Sequence, residues 1–134
     1  MALSILIVED DFTSRRVLSH ILESFGMCDV AINGEEAVEA VRLGLQGETR
    51  YDLICLDIMM PRMDGHSALK AIRKLEESHG IAPGTGAKII ITSALDDSKN
   101  VLEAFRSQCD GYIVKPYDKQ KISAELREQG LIPI

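Results

Sequence analysis

The strongest constraint on the fold is a regular alternation of two kinds of segment. Four short runs, LSILIV (3–8), LICL (53–56), KIIIT (88–92) and YIV (112–114), are strand-length and rich in Ile, Leu and Val. Each is apolar on both alternating faces, as strands covered on both sides are. A weaker run, MCDVAI (27–32), reads as a further strand. Between the runs lie amphipathic stretches at helical spacing. Their apolar stripes are Val17, Leu18, Ile21, Leu22 and Phe25 in 13–25, and Ala37, Val38, Val41 and Leu45 in 35–45. Further stripes are Ala68, Leu69, Ile72 and Leu75 in 67–79, and Val101, Leu102, Ala104 and Phe105 in 97–107. Ile122 and Leu126 form the stripe of 118–129. Asp11 or Thr13 can cap the first helix.

A strand-helix unit repeated five times predicts an α/β fold with a parallel sheet and helices on both faces. Five units suit a doubly wound sheet of order 2-1-3-4-5, the flavodoxin-like arrangement, with right-handed crossovers. At 134 residues the chain is one domain, and an eight-stranded barrel, which needs about 250 residues, is excluded. HGIAPGTGA (79–87), with its Gly and Pro, is a loop between the third helix and the fourth strand.

Composition narrows the functions. The formal net charge is −6, and the densest basic clusters, Arg15-Arg16 and Lys119 to Lys121, are short, so a nucleic-acid surface is disfavoured. Cys28, Cys55 and Cys109 are odd in number and far apart, which argues against a disulfide framework or a zinc site. No apolar run is long enough to span a bilayer, and the N-terminus lacks the pattern of a signal peptide.

In an open sheet of this order, ligands bind beyond the carboxyl ends of strands, at the switch point between strands 1 and 3. Strand 1 ends in Glu9, Asp10 and Asp11, and strand 3 ends in Asp57. Neighbouring strands lie about 4.8 Å apart, so these carboxylates converge. Such a cluster either raises some pKa values or holds a cation, and an all-oxygen set suits Mg2+. Strand 4 ends in Thr92, Ser93 and Ala94, and strand 5 is followed by Lys115 and Pro116. Acids, a hydroxyl and an ammonium in one crevice suit phosphoryl chemistry with a carboxylate nucleophile.

These motifs, ILIVEDD, NGEEAVEAV, DLICLDIMMPRMDG, IIITSA and GYIVKPY in that order, resemble the CheY-like receiver domain of two-component response regulators. The resemblance covers the single domain 1–134, with its core at about 3–129. It implies a signalling domain rather than an enzyme, one that accepts a phosphoryl group on Asp57 from a histidine kinase, a phosphotransfer protein or a small phosphodonor. Glu9, Asp10, Asp57 and the backbone carbonyl of Met59 would hold Mg2+, Glu9 through water. Ser93 and Lys115 would grip the phosphoryl oxygens, Pro116 would shape the Lys115 loop, and Tyr112 would turn inward as a switch. Ser93 is preferred to Thr92 because a small residue follows it and it lies 22 positions before Lys115. The face of helix 4, strand 5 and helix 5 would meet a downstream protein partner or a second copy, in the cytoplasm, with no contact to nucleic acid or membrane.

Departures from the family pattern sharpen the expectations. Gln108 stands where the family most often has Gly, which predicts an altered turn before strand 5. Met59 and Leu95, two residues beyond Asp57 and Ser93, are apolar and predict slow hydrolysis of the aspartyl phosphate. A haloacid-dehalogenase-like phosphatase needs an Asp at position 59, where Met stands. A flavodoxin-like electron carrier needs a phosphate-binding loop where this chain has EDD. His20, His66 and His79 read as surface or helix-end residues.

Overall fold

The computed structural model describes residues 2–47, 50–58, 60, 63–94 and 98–133. Its elements alternate as the sequence predicts: β1 (Leu3–Val8), α1 (Phe12–Leu22), β2 (Gly26–Ala31), α2 (Gly34–Gln46), β3 (Leu53–Asp57) and α3 (Gly65–Ser78), then β4 (Lys88–Ser93), α4 (Ser98–Arg106), β5 (Gly111–Val114) and α5 (Lys119–Glu128). The five strands form one parallel sheet of order β2-β1-β3-β4-β5.

Alternation along the strands builds two cores. Leu6, Val8, Ile54, Leu56, Ile89 and Ile91 face α2, α3 and α4. Ile5, Ile7, Leu53, Cys55, Ile90 and Ile113 face α1 and α5. All five residues of β3 are buried, which is why the run carries no polar face. Asp11, Asn33, Asp64 and Asp118 cap α1, α2, α3 and α5, each accepting from the backbone N–H three residues on.

Three helices end in the same way. Gly80 and Gly130 follow α3 and α5 at φ +77° and +74°, and the next residue's N–H reaches back to Glu76 O and Leu126 O. Gln108 follows α4 at φ +73°, with Cys109 N donating to Ala104 O at 3.1 Å. This is the Schellman cap, normally served by Gly. The turn expected to be altered keeps the glycine geometry, with a glutamine in it.

Two expectations about buried faces are corrected. Val17, Leu102 and Phe105 belong to the apolar stripes of α1 and α4, yet they are exposed by 43%, 58% and 43%. A stripe broader than the contact it makes leaves its flank in water. The buried face of α3 also carries a charge absent from its apolar stripe. Glu76 is buried, paired with Arg73 Nη1 at 2.7 Å and accepting from Ala87 N at 2.8 Å. Arg73 also donates to Ala87 O and Gln108 O and pairs with Asp110. This network ties α3 to the 79–87 loop and to the α4–β5 turn at the end of the sheet away from Asp57.

Candidate functional site

The register brings the strand ends level. Val8 pairs with Leu56, so the next residues, Glu9 and Asp57, stand side by side. Asp57 pairs with Thr92, and Ser93 with Val114. Beyond the strands the ladder continues: Glu9 N donates to Ala31 O, Ile58 N to Thr92 O, and Lys115 N to Ser93 O at 2.8 Å.

Glu9, Asp10 and Asp57 each place a carboxylate oxygen within 4.8 Å of the others. Glu9 and Asp57 are buried, whereas Asp10 is exposed. Lys115 reaches into the same cluster. Its Nζ lies 2.9 Å from Glu9 Oε1 and 3.4 Å from Asp57 Oδ2. The Glu9 contact is the shorter of the two, so Lys115 is paired first with Glu9 and second with Asp57. Burial alone would lower the Lys115 pKa, but Glu9 and Asp57 together outweigh it and hold the ammonium above its usual range. The Lys115–Pro116 bond is cis.

Ser93 Oγ is buried and has no hydrogen-bond partner. A buried hydroxyl left unpaired is costly, so it stands ready for an acceptor. Asp11 accepts from Ser14 N at 2.8 Å, which bears out its reading as the cap of α1. That backbone bond, more than any charge, pulls its pKa down. Tyr112 points away from this cluster. It is 44% exposed and packs edge-on against Phe105, with ring centroids 6.1 Å apart. Met59 and Leu95 lie outside the described residues.

Three supporting residues carry no sequence signal. Arg15 Nη1 donates to Glu9 O at 3.1 Å and Asp10 O at 3.4 Å, which fixes the turn that presents both acids. Tyr117 donates its hydroxyl to Ser14 O at 3.2 Å, which ties the loop after Lys115 to α1. His66 is neither a surface residue nor a cap, because its ring bridges to α4. A side chain that acts through a carbonyl or a distant helix leaves no spacing to read.

Comparison with known proteins settles the family, because the response regulator receiver domain profile matches residues 5–127. The chain belongs to the response regulator receiver domain family. This receiver is 34% identical over 123 residues to the chemotaxis protein CheY of Halobacterium salinarum, covering 91% of this chain and 92% of that protein. It is 35% identical over 133 residues to the hybrid signal transduction histidine kinase B of Dictyostelium discoideum, covering 95% of this chain. The chain spans only 6% of that kinase's length. Among solved structures, it resembles the receiver domain of the histidine kinase CKI1 from Arabidopsis thaliana complexed with Mg2+ and BeF3−. The TM-score is 0.80 at 29% identity, over 96% of this chain and 89% of that one. The receiver is therefore a signalling domain of the two-component type and not a classical enzyme, with the doubly wound fold of its relatives. No helix among the described residues is long and apolar enough to cross a membrane.

Proposed function

We propose that this receiver is a phosphorylation-controlled switch, with Asp57 as its phosphoacceptor. The observation that carries the proposal is the convergence of Glu9, Asp10 and Asp57, with Lys115 Nζ 3.4 Å from Asp57. A carboxylate oxygen of Asp57 attacks the phosphorus of a histidine kinase or phosphotransfer protein's phosphohistidine, or of a small phosphodonor. The bond to the donor breaks, and the leaving imidazole takes up a proton. In-line positioning and charge neutralisation supply most of the catalysis in such transfers.

Three hard oxygen donors around one point fit Mg2+. Glu9, Asp10, Asp57 and the Met59 carbonyl would hold it, and the bound ion would neutralise charge on the transferred oxygens. Lys115 supplies a second positive charge, its Nζ 3.4 Å from Asp57 Oδ2. Ser93 Oγ, with no hydrogen bond to give up, donates to a phosphoryl oxygen. Movement of Ser93 toward the phosphate frees space for Tyr112 to turn inward. That remodels the α4–β5–α5 face, where Leu102, Phe105 and Tyr112 are exposed, and a downstream protein or a second copy docks there in the cytoplasm. Apolar residues at 59 and 95 position no water, so the phosphate outlives a scale of seconds.

The test is acetyl phosphate with Mg2+, followed by intact-mass spectrometry of wild type and Asp57→Asn. Wild type gains one phosphoryl group and the variant none. Equal gain in both refutes the assignment.

A further inference from the structure

The ring of His66 occupies a position that stability alone does not explain. It is the second residue of α3, and its side chain is 13% exposed. Nε2 lies 3.1 Å from Asn100 Oδ1 and 3.7 Å from Glu103 Oε2, both on α4. Facing an acceptor, Nε2 carries the proton and donates. Nδ1 is buried with no partner. A phenyl ring would fill the same volume without an orphaned nitrogen, so the feature that sets this residue apart is the bond made by Nε2.

That bond joins the site to the output face. Gly65, just before His66, lies against the strand end that carries Asp57. A Cβ there would meet Ile58 Cα at 2.5 Å and Asp57 O at 2.6 Å, and Gly65 N donates to Ile58 O at 2.9 Å. The start of α3 therefore follows the backbone of Asp57 with no slack. His66 extends this rigid contact to the first two turns of α4. Among the described residues it makes the only side-chain hydrogen bond from α3 to α4. The far end of α4 is held separately, by Arg73 Nε donating to Gln108 O at 2.9 Å and by the Schellman cap. Phe105, near that held end, carries the edge contact with Tyr112.

We infer that His66 is the positioning residue that couples the phosphoacceptor loop to α4, through its Nε2 bond to Asn100. The inference rests on Asp57 being the phosphoacceptor. With one end of α4 fixed by Arg73 and the other bonded by His66, a change at Asp57 shifts the first turns of α4 and leaves its last turn in place. Coupling of this kind requires a physical element with two arrangements that both sites bias, and the hinged α4 supplies it.

The test compares wild type, His66→Phe and His66→Gln by amide hydrogen exchange, with and without Mg2+ and beryllofluoride. Phosphorylation by acetyl phosphate is followed in parallel by mass. Phe keeps the ring volume, and Gln keeps a donor near the Nε2 position. In wild type and His66→Gln, beryllofluoride changes exchange at residues 98–102 and leaves 105–109 nearly constant. In His66→Phe that response falls at least fivefold, while phosphoryl loading and the exchange of β3 remain. An undiminished response in His66→Phe overturns the coupling, as does its loss in both variants. If wild type takes no phosphoryl group, the site assignment itself fails, and the coupling with it.

Discussion

Asp10→Asn is expected to stabilise the magnesium-free protein and to leave it the weaker of the two once Mg2+ is added. Oxygens of Glu9, Asp10 and Asp57 lie within 4.8 Å of one another. Two unit charges at that separation repel by about 3.5 kcal/mol at an effective dielectric of about 20, and by about 0.9 kcal/mol in bulk water. Asp10 is exposed, so the lower figure governs its two pairs. The Lys115 ammonium beside Glu9 and Asp57 offsets part of it. The amide should therefore gain about 1 kcal/mol, or about 4 °C in melting temperature for a domain of this size. Mg2+ reverses the order. An ion bound only by the native state adds about 1.4 kcal/mol at ten times its Kd, and a site with one charged ligand removed gains far less. Thermal melts of both proteins across a Mg2+ titration in low salt, with EDTA as the zero point, should give curves that cross. An amide variant less stable in EDTA would show that the acids do not repel as their geometry requires. An equal rise of both melting temperatures with Mg2+ would remove Asp10 from the ligand set.

Gln108→Gly should stabilise the protein by about 1 kcal/mol, because a side chain at positive φ costs about that much and the bonds to Gln108 O and Cys109 N are made by backbone. Urea denaturation checks it, and a loss of stability would mean that the glutamine side chain contributes to the turn. The Ser67 backbone N–H, ahead of any charge, holds the Asp64 carboxyl below its usual pKa. Its contribution is therefore present above the unfolded pKa near 4 and is lost as pH falls through the lower folded value. Wild type should lose stability relative to Asp64→Asn, which keeps a cap, as pH drops below about 4, and Asp64→Ala should cost about 1 kcal/mol at pH 7. Burial pushes the Cys55 thiol up to about 12 and that of Cys109 to about 11. Alkylation at pH 8 should reach Cys28 first and the other two only in denaturant, as peptide mapping will show.

The sheet was legible because each parallel strand buried on both faces leaves an unbroken apolar run, and β3 is the clearest case. The meeting of Glu9, Asp10 and Asp57 was legible for a related reason. Strand order and strand spacing together force the ends of β1 and β3 into one place, and no side-chain detail is needed. Helix faces were harder. The periodicity of α1 and α4 marks an apolar stripe but not how much of it the sheet covers, so Val17 and Phe105 read as core and stand in water. The conformation of Gln108 was hidden because its residue type argues against the backbone it adopts. His66, Arg15 and Tyr117 act on partners that only tertiary packing brings near: a helix 34 residues away, two carbonyls of the preceding turn, and a carbonyl 103 residues back.

Apolar faces on α4 and β5 and a polar cluster at the end of β3 are joined by the short route through Gly65 and His66. That route gives the receiver a way to report the state of Asp57 without unfolding any element. It also separates two properties that are often lost together. Substitutions in the acidic cluster should change loading, whereas substitutions at His66 should leave loading intact and blunt the response of α4.

Whether Asp57 carries the phosphoryl group can be read directly by chemical trapping. Borohydride reduces an aspartyl phosphate and leaves free carboxylates untouched, so treatment after acetyl phosphate and Mg2+ marks the acceptor in a peptide map. A homoserine is expected at position 57, absent when EDTA replaces Mg2+ and absent in Asp57→Asn. Reduction at Asp10, at another carboxylate, or at none while the intact mass still rises would contradict it.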